Sequence, residues 1–155
     1  MKVTDNNWFI YYNRGTTYKD LGNYRQAIED YNRAIEIKPG YAEAYNNRGA
    51  AYGILGNYRQ AIEDFNRAIE IKPDQEKDYN NRGNVYAGLG NYRQAIGDYG
   101  RAIEINPAYA EAYRNRSISY VRLGNNNLAV NDLKTAAKLG DERAKNFLKS
   151  QGISW

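Results

Sequence analysis

The chain has 155 residues, is 42% apolar and carries a net charge of +4, from 22 basic and 18 acidic side chains with no histidine or cysteine. The missing imidazoles and thiols exclude disulfides, thiol nucleophiles, Cys or His metal ligands and the usual neutral-pH general base. No apolar run approaches the roughly 20 residues that a bilayer crossing needs, and a charge so mixed is weak ground for nucleic acid.

Residues 1–7 hold no apolar stretch of the signal-peptide kind, so the chain reads as cytoplasmic. From there one pattern recurs at a period of 34 residues. Tyr11-Tyr12-Asn13-Arg14-Gly15 is followed by Tyr45-Asn46-Asn47-Arg48-Gly49, then Tyr79-Asn80-Asn81-Arg82-Gly83, then the looser Tyr113-Arg114-Asn115-Arg116-Ser117. Between them Leu-Gly-Asn-Tyr-Arg-Gln-Ala-Ile stands unchanged at 21–28, 55–62 and 89–96, and is degraded to Leu-Gly-Asn-Asn-Asn-Leu-Ala-Val at 123–130. A fixed period of this length means stacked copies of one supersecondary unit. The units run about 8–41, 42–75, 76–109 and 110–143 and form one domain.

Within the second unit Tyr45, Gly49 and Tyr52 keep helical spacing, and Leu55 follows. Gly56-Asn57 then interrupts, because Gly ends a helix cheaply at positive φ and Asn can cap the next one. Ala61, Phe65, Ala68 and Ile69 resume the rhythm until Pro73, which has no N–H and clashes with a preceding turn. Pro39 and Pro107 do the same in their units, so each unit is a helical hairpin. Small residues mark both helices: Gly15, Gly49, Gly83 and Ser117 in the first; Ala27, Ala61, Ala95, Ala129, Ala34, Ala68, Ala102 and Ala136 in the second. They let the helices approach while the rings of Tyr31, Phe65 and Tyr99 fill the volume left. Most of the 16 tyrosines are therefore packing residues rather than catalytic phenols.

In the third unit Gly97 and Gly100 replace Glu and Asn inside a helix, at about 1 kcal/mol each relative to Ala; drift on a solvent face is the favoured reading. The fourth unit has Asn126 and Leu133 where earlier copies carry Tyr and an aromatic. Ala144, Phe147 and Leu148 then give 141–150 the look of an amphipathic helix that covers the last repeat. The placement of Trp155 is left open.

The pattern aromatic-x2-Arg-Gly-x2-Tyr, then Leu-Gly, then Ala-x3-aromatic-x2-Ala, then Pro, resembles the tetratricopeptide repeat over residues 8–143, in its Asn-Arg-Gly variant. The resemblance implies an all-α, right-handed α-solenoid of four helix-turn-helix hairpins with a C-terminal capping helix. Arg14, Arg48, Arg82 and Arg116 stand where the family more often has leucine. Each is followed sixteen residues later by Asp30, Asp64, Asp98 or Asp132, which predicts an Arg–Asp bond from first helix to second in every unit.

The resemblance also implies a concave face lined by first helices, where ligands of the family lie. Its candidate residues here are Tyr12, Asn13, Asn46, Asn47, Lys77, Asn80, Asn81, Asn84, Arg114 and Asn115. Phe9, Thr16, Lys19, Glu43, Ala50, Ile54, Ala87, Glu111, Ile118 and Val121 stand around them. Asn13, Asn47, Asn81 and Asn115 form one row, and a carboxamide can both donate to and accept from a peptide group. Regularly spaced amides suit an extended peptide. The family's clamp for a C-terminal carboxylate is incomplete: Asn47 and Lys77 match it, while Tyr12, Thr16 and Asn81 do not.

The expected function is therefore a non-enzymatic protein-interaction module that binds a peptide or partner helix, without cofactor, metal or membrane. A self-associating scaffold that forms homo-oligomers is the alternative. Nucleic-acid binding by Arg and Tyr ranks third.

Overall fold

A computed structural model describes residues 7–155; residues 1–6, part of the stretch read for a leader, lie outside the described residues. All the secondary structure among the described residues is helical. The chain divides into two compact units, Met1–Pro73 and Asp74–Trp155. The first holds α1 (Trp8–Asp20), α2 (Tyr24–Ile37), α3 (Ala42–Ile54) and α4 (Tyr58–Ile71). The second holds α5 (Glu76–Gly88), α6 (Tyr92–Ile105), α7 (Ala110–Arg122), α8 (Asn126–Lys138) and α9 (Glu142–Ser150). Within each unit successive helices pack on one another, and first helices also touch, α1 against α3 and α5 against α7. The repeat reading thus becomes a set of helical hairpins, two in the first unit and two with a capping helix in the second.

Each hairpin turns on its Leu-Gly-Asn. In the first, Gly22 takes φ +78°, its N–H donates to the Lys19 carbonyl and the Asn23 N–H donates to the Tyr18 carbonyl. These two bonds define a Schellman ending, which satisfies the orphan carbonyls of the last turn and needs glycine at the left-handed position. Gly56-Asn57, Gly90-Asn91 and Gly124-Asn125 repeat it. The asparagine does less than expected: Asn23, Asn57, Asn91 and Asn125 occupy N-cap positions, but their side chains make no capping bond. Their backbone N–H closes the previous helix instead. At the far ends, α2, α4 and α6 stop at Ile37, Ile71 and Ile105, two residues before Pro39, Pro73 and Pro107.

The close approach within each hairpin is a notch filled by a ring. A methyl on Gly15 would lie 3.0 Å from Cε1 of Tyr31, on Gly49 3.1 Å from Cε1 of Phe65, and on Gly83 2.8 Å from Cε1 of Tyr99. All three rings are buried, as are the alanines that flank them, Ala27, Ala34, Ala61, Ala68, Ala95 and Ala102. Burying one such ring contributes on the order of 2–3 kcal/mol. The fourth hairpin inverts the volumes: buried Ser117 fills the notch, and Leu133 replaces the ring. The two departures noted in the sequence therefore compensate each other.

The Arg–Asp bond is present in all four hairpins. Arg14 reaches Asp30 through Nε at 2.7 Å and Nη2 at 2.6 Å, and Arg48 reaches Asp64 at 2.8 and 2.6 Å. Arg82 and Asp98 pair at 2.8 and 2.7 Å, Arg116 and Asp132 at 2.7 and 2.8 Å. Two parallel bonds of this kind exploit the planar fork of guanidinium. The tyrosine three residues earlier, Tyr11, Tyr45, Tyr79 or Tyr113, lies under each guanidinium at 5.4–5.7 Å. Burial pushes the Asp64 carboxyl up despite its partner. Arg48 is also opposed by burial, yet the bonds from Asp64 leave its guanidinium above the ordinary value. This pair is thus costly to desolvate and well compensated.

The capping helix begins one residue later than its amphipathic pattern, with Asp141 as N-cap, accepting from the Ala144 N–H at 2.8 Å. Ala144 and Leu148 join Leu133, Ala136 and Ala137 in a cluster against which Tyr113 and Ile153 pack. Phe147, expected on the same stripe, is half exposed, because the buried stripe follows the i, i+4 pair of Ala144 and Leu148. Trp155 is 43% exposed.

Candidate functional site

The candidate residues sit on the first helices, and several of their amides bond to neighbouring helices. In the first unit Asn47 of α3 donates to the Tyr12 hydroxyl on α1 at 3.0 Å, and its carbonyl accepts from Lys19 Nζ at 3.1 Å. One N–H and one lone pair of that carboxamide remain open. Asn13 lies exposed on α1 with no side-chain partner among the described residues, and Asn46 is half-buried on α3. Glu43 pairs with Lys72, which ties the end of α4 to α3. Burial pushes the Glu43 carboxyl up, but the bond from Lys72 and a backbone N–H together hold it below its ordinary value.

The second unit repeats the bond between first helices. Asn115 of α7 donates to the Asn80 carbonyl at 3.1 Å and to the Asn84 carbonyl at 3.1 Å, and the Tyr99 hydroxyl also donates to Asn84 at 2.8 Å. Both N–H groups of Asn115 are thereby committed, while its carbonyl stays open. Asn80 is only 1% exposed. Expected among the groove residues, it is instead an inward support, because it lies on the side of α5 that faces α7 and receives the Asn115 amide. Lys77 is exposed without a partner among the described residues, and Asn81 is half-buried on α5.

Arg114 is likewise drawn inward: Nε donates to the Asp141 carboxylate at 2.9 Å and Nη2 approaches Glu111 at 4.0 Å. Asp141 thus caps α9 with one oxygen and fixes α7 with the other. Beside this link a cleft of about 400 Å³ opens, lined by Ile118, Val121, Leu133, Ala144 and Phe147, with Arg122 and Arg143 at its edge. The sequence reading named Ile118 and Val121 but missed the cleft, which depends on how α9 lies against α7.

A second missed feature is aromatic. Trp8 and Tyr12 both meet Tyr41 edge-on, at 4.7 and 4.8 Å between ring centroids, and Lys38 Nζ stands 3.8 Å from the Trp8 ring centre. The sequence signal was Trp8 at the first position of the array with Lys38 and Tyr41 thirty residues on. Burial pushes the Tyr41 hydroxyl well up, aided by Tyr12. The ammonium of Lys38 gains a cation–π partner and closes that end of α1. Among the described residues no group of three or more His, Cys, Asp or Glu could hold a metal ion, and no helix is long and apolar enough to cross a membrane.

Comparison with known proteins accounts for this architecture. The model of the tetratricopeptide repeat matches residues 8–41, 42–75 and 77–109, and the chain belongs to that family. The fourth hairpin, with its inverted notch, lies beyond the matched residues. No curated protein gave a significant match. Among solved structures, MamA is similar at 30% identity with a TM-score of 0.82, over 90% of this chain and 82% of that one. The first repeat domain of Spaghetti (RPAP3), bound to the HSP90 peptide SRMEEVD, is similar at 26% identity and TM-score 0.73, over 76% of this chain and 93% of that one. MamA residues 41 to end from Desulfovibrio magneticus RS-1, at 19% identity and TM-score 0.80 over 92% of this chain and 79% of that one, shares the fold. In all, 367 chains match significantly, so the fold by itself does not choose the partner.

Proposed function

We propose that the chain is a non-enzymatic interaction module whose first-helix faces hold an extended peptide or a partner helix. The observation that supports this most is the fixing of Asn47 and Asn115 by neighbouring first helices, each with hydrogen-bonding capacity still directed elsewhere. A carboxamide held in place binds a peptide group at less entropic cost than a free one. Exposed Asn13 and Lys77 extend the polar surface in their own units, and Asn46, Asn81 and Asn84 stand beside them.

The similarity to a domain bound to an HSP90 peptide makes peptide binding a reasonable expectation, but not the same peptide. Of the five clamp positions only Asn47 and Lys77 carry matching residues, and the Asn47 carbonyl already accepts from Lys19. An acidic chaperone tail is therefore not the proposed ligand. The test is affinity capture from the source organism with the wild-type chain and an Asn47→Ala/Asn81→Ala variant, each shown by thermal melt to be folded. Loss of the captured partner with the variant supports the groove; undiminished recovery refutes it.

Self-association is the second reading, favoured by Phe9 and Ile10, which are 54% and 60% exposed on α1. Light scattering decides it: a monomer at all concentrations, with or without Phe9→Asp, removes this reading.

A further inference from the structure

We propose that the cleft between α7 and α9 is an anchor site for a bulky apolar side chain of a partner polypeptide, flanked in that polypeptide by carboxylates. This rests on the reading of the chain as a polypeptide-binding module and specifies the chemistry of what it binds.

The wall of the cleft is apolar. Ile118, Val121 and Phe147 are 50%, 53% and 50% exposed, and they face one cleft rather than lying scattered. Leu133 and Ala144 form the buried floor. At about 400 Å³ the cleft lies at the lower end of the roughly 300–1,000 Å³ of ligand pockets. A side chain the size of leucine or phenylalanine would cover all three exposed residues at once.

The charged half is the rim. No carboxylate lines the cleft, whereas Arg114, Arg122 and Arg143 do. Arg114 is committed to Asp141. Arg122 and Arg143 make no ion pair among the described residues, so both forks are open to an incoming carboxylate. The wider surroundings have the same sign. Residues 110–155 carry eight Lys or Arg against four Asp or Glu, so the whole net charge of +4 resides there, while residues 1–109 are balanced. An apolar anchor between acidic residues satisfies both halves. A nucleic acid would satisfy only the rim, since a single ring, Phe147, is available for stacking.

The test uses the full chain and labelled peptides in fluorescence anisotropy. The probe is Glu-Asp-Leu-Phe-Asp-Glu; its controls are Glu-Asp-Ala-Ala-Asp-Glu, Lys-Lys-Leu-Phe-Lys-Lys and a labelled oligothymidylate. The probe is expected to bind at least about tenfold more tightly than any control. Arg122→Glu/Arg143→Glu and, separately, Val121→Asp should each weaken it by about tenfold or more. Arg122→Gln/Arg143→Gln, which removes charge without reversing it, should fall between, and thermal melts establish that all variants fold. Equal binding of the alanine peptide or of the oligothymidylate, or indifference to the arginine variants, overturns the proposal. The Asn47→Ala/Asn81→Ala variant keeps the two readings apart: it should bind this probe normally while losing the captured partner. If capture is unaffected and the probe still binds, the amide reading fails and the anchor stands; if capture is lost and the probe never binds, the reverse holds.

Discussion

Removing the Arg48 side chain is expected to damage the scaffold more than the loss of an exposed ion pair would. The Arg48 side chain is 18% exposed and that of Asp64 7%, so Arg48→Ala leaves a buried acid with neither of its bonds. The Asn32 carbonyl, which accepts from Nη1 at 2.6 Å, loses its donor too. Breaking a pair of this kind costs about 3–5 kcal/mol. For a chain of this size each kcal/mol lowers Tm by about 2–4 °C, so the fall is on the order of 10 °C. The direction of the Asp64 shift adds a second expectation: since burial already disfavours the charged acid, replacing both partners should be far less harmful than replacing one. Arg48→Leu/Asp64→Leu is expected to lie within about 1 kcal/mol of wild type. Urea unfolding followed by circular dichroism, fitted to a nearest-neighbour repeat model, measures both. If the single variant melts within about 2 °C of wild type, or the double variant loses as much as the single, the pairing argument is wrong.

Gly83→Ala should cost about 1–3 kcal/mol, because its methyl would sit 2.8 Å from Tyr99, and Tyr99→Leu in the same chain should recover part of the loss by recreating the Ser117–Leu133 arrangement. Gly97→Ala should stabilise α6 by about 1 kcal/mol, since nothing lies within 4 Å of the new methyl; a loss of stability would point to a contact not seen in the structure. Leu148→Ala, measured by the same unfolding assay, should cost about 2–5 kcal/mol and loosen the capping helix first, visible as early hydrogen exchange in α9. Alkaline titration should show cooperative unfolding. Burial pushes Tyr31 and Tyr109 up to about 12, so the stability they protect is complete below the ordinary phenol value near 10 and is lost as pH rises from there through about 12. Phenolate absorbance that rose non-cooperatively, with helicity unchanged, would contradict this.

The scaffold was legible because its rules are local and repeated. Period, glycine notch, proline stop and the sixteen-residue Arg–Asp interval each follow from helix geometry, and the structure places all four pairs in contact. The site was legible only in outline. That Asn80 is buried while Asn46, at the same position of its own repeat, is only half-buried depends on how two first helices lie side by side, which no spacing within one helix encodes. The asparagine cap failed for a related reason: the same residue serves two helices, and its backbone had already closed the first. Phe147 was misplaced because three consecutive stripe positions compete for a core that, on a nine-residue helix, admits only the i, i+4 pair.

The inverted notch has a consequence for how such a chain can change length. Residues 42–75 carry their own glycine, ring, Arg–Asp pair and turn, so copying that block in frame keeps the internal packing of each hairpin intact. The last hairpin is different. Ser117 accepts no ring opposite it, and Leu133 is shared with Ala144 and Leu148, so this block is matched to its lid and to no further copy. Growth by duplication is open to the earlier blocks and closed to the last, which makes the final hairpin the fixed point against which a lineage of such chains could lengthen or shorten.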